Sequence, residues 1–348
     1  MKAAIKPRIN LEKRTKLEEV IPLEVPFVIF VDPSDRCNFG CKFCPTGNKQ
    51  LMKEIGRPLK AMKFDLFKKI IDDIKEFENP IKVLRLYKDG EPLLNPRFAD
   101  MVKYAKDSPK ILSVDTTTNA SLLNPKRNLE IIEAELDRIN ISVEGISNKQ
   151  YKDFSNYKVN FDKFVENIKH FYENRNKCEV IIKINGDVIS EDDKKLFQEI
   201  FHDKADGIYI EHVMSCWPEF ELDGVQVNQE YGIYGQKISE VLVCPYVFYS
   251  FSINSDGMAS LCFLDWSRKL IIGDVKKTSV KDIWNGKETH TYQEMFLRKK
   301  RKEHPVCRAC GQLTHGLPDN IDAYAQMLLE RMVSFKHPGN RCCPHDPE

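Results

Sequence analysis

The sequence lacks the signatures of several common protein classes. It has no Walker phosphate loop, no G-x-G-x-x-G fingerprint and no H-E-x-x-H motif, so nucleotide-binding folds of those kinds and zinc proteases have no support. Its 53 basic and 52 acidic residues nearly cancel, and we therefore expect no nucleic-acid partner. No repeat or low-complexity segment interrupts the chain.

Long apolar runs are also missing. The longest, at 21–31, is interrupted by Glu24 and is too short to cross a bilayer. The first twenty residues are charged throughout and have no apolar core, which argues against a secretory signal. We expect a cytoplasmic protein with no membrane partner. Its eleven cysteines are then more typical of metal ligands or buried thiols than of disulfides.

Six short apolar segments alternate with helical patterns in the first two thirds of the chain. The predicted strands are 26–32, 82–87, 111–117, 138–144, 180–185 and 207–213. The predicted helices between and after them are 64–77, 97–106, 128–136, 161–172 and 191–201. Continuous apolarity indicates strands covered on both faces, as in a parallel sheet. The α/β pattern fits an open sheet or a partial barrel, and both place active-site groups at the carboxyl ends of the strands.

The pattern changes after about residue 235. Two aromatic strands, at 247–253 and 258–265, flank the turn sequence NSDG at 254–257, which predicts a hairpin. A helical segment follows at 279–285. We expect four regions: an N-terminal extension (1–24), a core domain (25–240), a small second domain (241–330) and a C-terminal tail (331–348).

Three cysteines follow the first predicted strand of the core closely. Cys37, Cys41 and Cys44 are spaced C-x3-C-x2-C, with no fourth cysteine or histidine nearby to complete a structural zinc site. A cubane iron–sulfur cluster held by three thiolates leaves one iron open to another ligand. A cluster with an open iron is more typical of a catalytic site than of a structural one.

This motif resembles that of the radical S-adenosylmethionine (SAM) superfamily, including the aromatic Phe43 before the last cysteine. The resemblance implies a partial (β/α)6 TIM barrel and a [4Fe–4S] cluster bound by three cysteines and SAM. In that family, reductive cleavage of SAM gives a 5′-deoxyadenosyl radical that abstracts a hydrogen atom from the substrate.

Further matches to the family lie at the ends of the later strands. The segments are YKDGEPLLNP (87–96), TTTNA (116–120), ISVEG (141–145) and IKING (182–186). In the first, Asp89 stands where the family has its first glycine. The cofactor contacts that the resemblance implies are Phe43, Gly90, Glu91, Asn119, Ser142 and Lys183. Glu91 would accept hydrogen bonds from the SAM ammonium.

Four more cysteines form a second pattern. Cys244, Cys262, Cys307 and Cys310 are spaced C-x17-C-x44-C-x2-C, which suits zinc as well as an iron–sulfur cluster. Their order along the chain resembles the SPASM and twitch auxiliary-cluster domains of radical SAM enzymes. Because 311–316 adds no cysteine, the resemblance implies the shorter twitch type with one auxiliary [4Fe–4S] cluster. The sequence assigns no role to Cys342 and Cys343.

The catalytic residues are less clearly marked. Glu211, His212 and Cys216 lie where the chain leaves the sixth predicted strand and are the candidates to contact substrate. The alternatives are that His212 is a structural histidine whose hydrogen bonds are made within the fold and that Cys216 is a thiol buried by packing.

Our leading hypothesis is an oxidoreductase that abstracts hydrogen from a sugar or aminocyclitol carbinol, with the auxiliary cluster accepting an electron. A small-molecule substrate is favoured over a peptide, and flavodoxin or ferredoxin would be the electron donor. The alternatives are a peptide or protein maturase that forms a crosslink, thioether or epimer, and a non-catalytic metal-binding module. The sequence does not identify the base that oxidation requires.

Overall fold

The computed structural model describes residues 2–9, 14–222, 224 and 227–336, and within them ten strands form one sheet. The strands are β1 (Ala4–Ile5), β2 (Val28–Val31), β3 (Val83–Arg85), β4 (Val114–Thr118), β5 (Arg138–Val143), β6 (Glu179–Asn185), β7 (Gly207–Glu211), β8 (Ser250–Ile253), β9 (Met258–Ser260) and β10 (Ile271–Asp274). The helices are α1 (Leu17–Val20), α2 (Lys49–Glu54), α3 (Phe64–Ile74), α4 (Phe98–Lys106), α5 (Pro125–Glu133), α6 (Asn148–Ser155), α7 (Phe161–Asn174), α8 (Glu191–Phe201), α9 (Val280–Trp284), α10 (Lys287–Leu297), α11 (Pro305–Arg308), α12 (Gln312–His315) and α13 (Ala325–Lys336).

The sheet runs in the order β1-β7-β6-β5-β4-β3-β2-β8-β9-β10. Every neighbouring pair from β1 to β8 is parallel. The strands β2 to β7 are the six that the apolar segments predicted, and helices connect them on the outside. This is the partial (β/α)6 barrel that we expected.

The helices form where apolar residues recur on one face. In α3, the side chains of Phe67, Ile70, Ile71 and Ile74 are fully buried, and Asp65, Lys68 and Asp72 lie on the other side. A similar pattern buries Phe197 and Phe201 of α8. These faces cover the outside of the sheet and leave its inner face for the site.

The second region continues the same sheet. The predicted hairpin is present as β8 and β9, and Gly257 has a φ of +90° in its turn, a conformation that favours glycine. β8 pairs in parallel with β2, from Val28 with Ser250 to Val31 with Ile253. The hairpin is therefore joined directly to the first strand of the barrel.

The N-terminal segment closes the other edge. β1 pairs in parallel with β7, with Ala4 opposite Gly207. Further on, Arg14 makes a two-pronged ion pair with Asp319, at 2.7 and 2.6 Å. The N-terminal segment thus contacts both the barrel and the second region. In the ranges that the structure describes, no helix is long and apolar enough to span a membrane.

Candidate functional site

The loop that carries the first three cysteines follows β2 and is held by a lysine. The ammonium of Lys49, in α2, donates hydrogen bonds to the carbonyl oxygens of Cys37 (2.9 Å), Phe39 (3.0 Å) and Thr46 (2.9 Å). The amide of Gly40 also donates to the carbonyl of Ser155, at 2.7 Å. These bonds fix the curvature of the loop, and we name residues 37–47 the cluster loop.

The thiols of the cluster loop lie close together in a buried setting. Burial raises the pKa of Cys37 to about 12, with a further contribution from Glu91. Burial also raises the pKa of Cys44, while the backbone amides of Thr46 and Gly47 donate to its sulfur and oppose the shift. Thiolates in such a place need a bound cation. Buried thiols with amide donors fit an iron–sulfur cluster.

Glu91 ties the ends of two strands together. Its Oε1 accepts hydrogen bonds from Thr118 Oγ1 (2.6 Å) and the amide of Leu93 (3.0 Å), and its Oε2 accepts one from the amide of Asn119 (2.8 Å). Burial raises the pKa of Glu91 to about 6, although these donors oppose the shift. The Asn119 side chain donates to Asn38 Oδ1, at 3.0 Å, inside the cluster loop.

Gly90 packs against the chain just before the first cysteine. A Cβ at this position would overlap the carbonyl oxygens of Ser34 and Arg36 and would lie 2.9 Å from the carbonyl carbon of Arg36. The amide of Glu91 donates to the Arg36 carbonyl at 2.8 Å. The glycine thus allows close contact between the end of β3 and the cluster loop.

A cavity of about 590 Å³ occupies the barrel interior. Of the sequence candidates it is lined by Phe43, Cys44, Ser142, Lys183, Glu211, His212 and Cys216. Residues that sequence reasoning missed also line it: Arg8, Arg85, Tyr87, Glu144, Tyr234, Tyr246 and Phe263. We name it the main cavity. The cluster loop, the strand ends and the second region all contribute side chains to its lining.

Two carboxyl groups in the main cavity have opposite environments. Burial would raise the pKa of Glu211, but Lys183 at 2.5 Å and Arg8 at 3.7 Å lower it below its usual value. Burial raises the pKa of Glu144 to about 7, even though Lys183 opposes the shift. Glu144 can therefore exchange a proton near neutral pH, whereas Glu211 stays ionised.

The other two candidates, His212 and Cys216, follow β7 and differ in their contacts. The Nδ1 of His212 lies 2.7 Å from Asp187 Oδ1, so this histidine already has a carboxylate partner. Cys216 is buried, and burial raises the pKa of its thiol to about 12 with contributions from Cys310 and Cys44. The thiol thus lies within electrostatic reach of both cysteine groups.

The four later cysteines surround a second, smaller cavity. Cys244, Cys262, Cys307 and Cys310 line a space of about 30 Å³, with apolar side chains around them. Burial raises the pKa of Cys244 to about 12, and the amides of Tyr246 and Val247 donate to its sulfur. The carboxylate of Asp322 accepts hydrogen bonds from the amides of Leu242 and Val243, just before this cysteine. We name this the auxiliary cavity.

In the described ranges, no group of three or more histidine, cysteine, aspartate or glutamate residues is arranged to hold a single metal ion. A cubane cluster does not need that arrangement, because each thiolate binds a different iron atom. Cys342 and Cys343 lie outside the described residues.

A buried carboxyl group, Asp32, lies between β2 and the cluster loop. Neither of its oxygens has a hydrogen-bond partner among the described residues. Burial raises its pKa to about 7, with a further contribution from Asp89. Asp89 is itself 2.5 Å from Lys88, and that lysine also donates to the carbonyl of Asp265 at 3.3 Å.

Comparison with known families gives two matches. A model of the radical SAM superfamily matches residues 31–201. A model of an iron–sulfur cluster-binding domain, SPASM, matches residues 244–311. Together they include the cluster loop and all four cysteines of the auxiliary cavity.

Similar curated proteins match part of their length. The tungsten-containing aldehyde ferredoxin oxidoreductase cofactor-modifying protein of Pyrococcus furiosus is 30% identical over 122 residues, which cover 35% of this chain and 32% of that protein. A GTP 3′,8-cyclase of Clostridium perfringens is 31% identical over 163 residues, which cover 47% of this chain and 46% of the cyclase. The chain therefore spans a third to a half of the length of these relatives.

Solved structures with the same fold cover most of the chain. BtrN in complex with AdoMet and 2-DOIA has a TM-score of 0.57 and 16% identity, covering 86% of this chain and 98% of BtrN. Streptococcus suis SuiB bound to S-adenosylmethionine has a TM-score of 0.59 and 15% identity, covering 86% of this chain and 74% of SuiB. At these identities, the likeness is one of fold.

Proposed function

Because this chain belongs to the radical SAM superfamily and carries a SPASM-type iron–sulfur cluster-binding domain, we propose that it is an oxidoreductase acting on a carbinol of a small polar molecule, of the sugar or aminocyclitol type. Cys37, Cys41 and Cys44 would hold the cluster that binds SAM, and the four cysteines of the auxiliary cavity would hold one further [4Fe–4S] cluster. When bound, the first cluster and SAM supply the 5′-deoxyadenosyl radical that takes a hydrogen atom from the substrate.

The position of the two cavities carries this proposal. Cys44 lines the main cavity, and Leu264 lines both the main and the auxiliary cavity. The main cavity and the auxiliary cavity therefore approach each other at Leu264. That arrangement suits the transfer of an electron from a substrate to an auxiliary cluster.

Oxidation of a carbinol to a carbonyl requires the loss of a hydrogen atom, a proton and an electron. SAM bound at the cluster of Cys37, Cys41 and Cys44 would supply the radical chemistry that removes the hydrogen atom, and a cluster held by the four cysteines of the auxiliary cavity would accept the electron. Glu144 is the group that we assign to the proton, because it lines the main cavity with its pKa near 7. Glu211, held as a carboxylate by Lys183 and Arg8, would orient those cations and remain ionised.

The volume of the main cavity favours a small substrate. Arg8 of the N-terminal segment, Tyr246 of the second region and the barrel strands all line it, and SAM itself would occupy part of the 590 Å³. The similar structures include both substrate classes, since BtrN was solved with 2-DOIA and SuiB with the precursor peptide SuiA. The preference for a small molecule therefore rests on this cavity.

The test begins with anaerobic purification and reconstitution with iron and sulfide. We expect two [4Fe–4S] clusters per chain, and 5′-deoxyadenosine on addition of SAM and either dithionite or reduced flavodoxin. Deuterium transfer into 5′-deoxyadenosine from labelled sugars or cyclitols, and not from peptides, would identify the substrate class. Stoichiometric zinc with no 5′-deoxyadenosine would rule out the enzyme, and transfer from peptides alone would favour a maturase.

Cysteine variants provide the controls. The double variant Cys262→Ala/Cys310→Ala should lose one cluster and retain SAM binding. Cys178→Ala is the matched control and should keep two clusters, because Cys178 is buried just before β6, where the charged groups near its thiol are Asp137, Arg175 and Asp206. Glu144→Gln should lower carbinol oxidation while 5′-deoxyadenosine formation continues.

A further inference from the structure

We propose that the substrate carries an oxyanion, either a phosphate or a carboxylate, and that Arg8 and Arg85 bind it in the main cavity. This inference rests on the proposed function, because it assumes that the main cavity holds the substrate. Both guanidinium groups line that cavity, and each lies within electrostatic range of the other. We name them the arginine pair.

The arginine pair differs from the other arginines of the cavity in its partners. Arg138 forms ion pairs with Glu179 at 2.5 Å, and Arg14 forms one with Asp319 at 2.6 Å. By contrast, the nearest carboxylate oxygens to the arginine pair are at 3.7 Å, on Glu211, and at 3.5 Å, on Asp115. These distances are too long for good hydrogen bonds, so the carboxylates neutralise part of the charge without using the donors.

Tyrosine side chains hold the arginine pair in place. Arg85 Nη1 donates to the hydroxyl of Tyr87 at 3.0 Å, and the guanidinium lies 5.4 Å from the ring centroid of Phe30. Arg8 has a side-chain hydrogen bond with Tyr234. Burial alone would lower the pKa of Arg8, but Glu211 and Tyr234 together raise it above its usual value. Both groups are therefore positioned before any ligand arrives.

Polar atoms around the arginine pair have no partner within the described part of the chain. They are Arg85 Nε, Asp115 Oδ1, Thr117 Oγ1 and Glu211 Oε1. These atoms are buried, and buried donors and acceptors without partners are costly, so the surroundings of the arginine pair are polar and incompletely satisfied. A guanidinium can bind an oxyanion through two hydrogen bonds, and Tyr87 occupies only Nη1 of Arg85.

Arg85 is separated from the strand-end groups that the family resemblance assigns to SAM, whereas Arg8 lies nearer to them, since Glu211 is 3.7 Å from Arg8 and 2.5 Å from Lys183. Arg85, Asp115 and Arg138 are paired across neighbouring strands and so lie at one level of the barrel. Ser142 lies four residues beyond Arg138 on β5, opposite Lys183, which is roughly 13 Å along the strand. The main cavity thus extends from the SAM contacts at the strand ends to the level of Arg85, and an anionic substrate held by the arginine pair would lie beside SAM.

Binding of simple anions to the reconstituted protein with SAM tests the inference. Isothermal titration calorimetry with inorganic phosphate and with acetate should show saturable binding of at least one anion at millimolar concentration, and the preferred anion identifies the source. Arg8→Gln and Arg85→Gln should each weaken this binding about tenfold to a hundredfold. The lysine variants at both positions, which keep the charge but lose the two parallel bonds, should weaken it less.

The control is Arg97→Gln, because Arg97 pairs with Asp100 on the outer surface and lies over the ring of Phe64. Absence of saturable binding of both anions, or binding that the Arg8 and Arg85 variants leave unchanged, would overturn the inference. If Arg85→Gln does not fold, Arg8→Gln alone decides, since Arg8 lies in the N-terminal segment. Formation of 5′-deoxyadenosine is measured in the same samples: its absence would contradict the proposed function, whereas its presence without anion binding would contradict only the arginine pair.

Discussion

Lys49 offers the sharpest test of how the cluster loop is held, and we expect Lys49→Met to release the first cluster faster. The ammonium donates three hydrogen bonds to the loop, at 2.9, 3.0 and 2.9 Å. A hydrogen bond to a charged donor contributes about 1.5–3 kcal/mol when well buried. Because Lys49 is exposed, solvent screening reduces each bond to less than 1 kcal/mol, and their sum is about 2 kcal/mol.

A loss of about 2 kcal/mol corresponds to an increase of about thirtyfold in the rate constant of cluster release. The assay is anaerobic iron release to a chelator, followed by absorbance. The Cys262→Ala/Cys310→Ala background isolates the first cluster. The matched control is Lys53→Met in the same helix, because the ammonium of Lys53 makes no hydrogen bond to the described residues.

Equal release rates for Lys49→Met, Lys53→Met and the parent protein would refute the reasoning. That result would mean that the loop is held by its other contacts, such as the bond from Gly40 to Ser155. A faster rate in both lysine variants would also refute it, because a general loss of positive charge would then explain the effect.

Two further predictions concern the backbone and a buried charge. Gly90→Ala should weaken binding of the first cluster by about 1–3 kcal/mol, measured as a loss of iron while the auxiliary cluster is retained. The control is Gly40→Ala, which should keep both clusters because the nearest atom to its added Cβ would be 3.5 Å away. Equal losses of iron in the two variants would contradict the steric argument. The pKa of Asp32 is raised in the folded protein, so the carboxyl group costs the folded state stability as the pH rises from about 4 to 7. Asp32→Asn removes this cost and should therefore raise the melting temperature most above pH 7. That advantage should shrink as the pH falls toward 4, and a pH-independent difference would show that the carboxyl does not titrate in this range.

Much of the architecture followed from local patterns in the sequence. The segments 26–32, 82–87 and 138–144 are rich in apolar and β-branched residues, and they form β2, β3 and β5. The cysteine spacing predicted the radical SAM superfamily, which the family model confirms. These features are encoded by neighbouring residues, so a single sequence is enough to find them.

Other parts depend on contacts between distant segments. β1 is two residues long in a charged stretch, and its pairing with β7 has no periodic signal. In the sequence, nothing distinguishes Lys49 from any surface lysine of a short helix, because its three hydrogen bonds form only when the cluster loop is folded. Arg8 and Arg85 meet only when the N-terminal segment closes against the barrel, so no motif could have marked them. The ligand roles of the cysteines and of the strand-end residues remain predictions that the proposed experiments address.

The pairing of β8 with β2 has a consequence for how the protein folds during its synthesis. Val28 pairs with Ser250, so one edge of β2 stays open on the ribosome until most of the chain has emerged. Such long-range parallel pairing forms slowly, and an exposed edge invites pairing with other chains. The cluster loop begins six residues after β2 ends. We therefore expect its final shape, and with it iron delivery to the first site, to await completion of the C-terminal region, and chains truncated before β8 to aggregate.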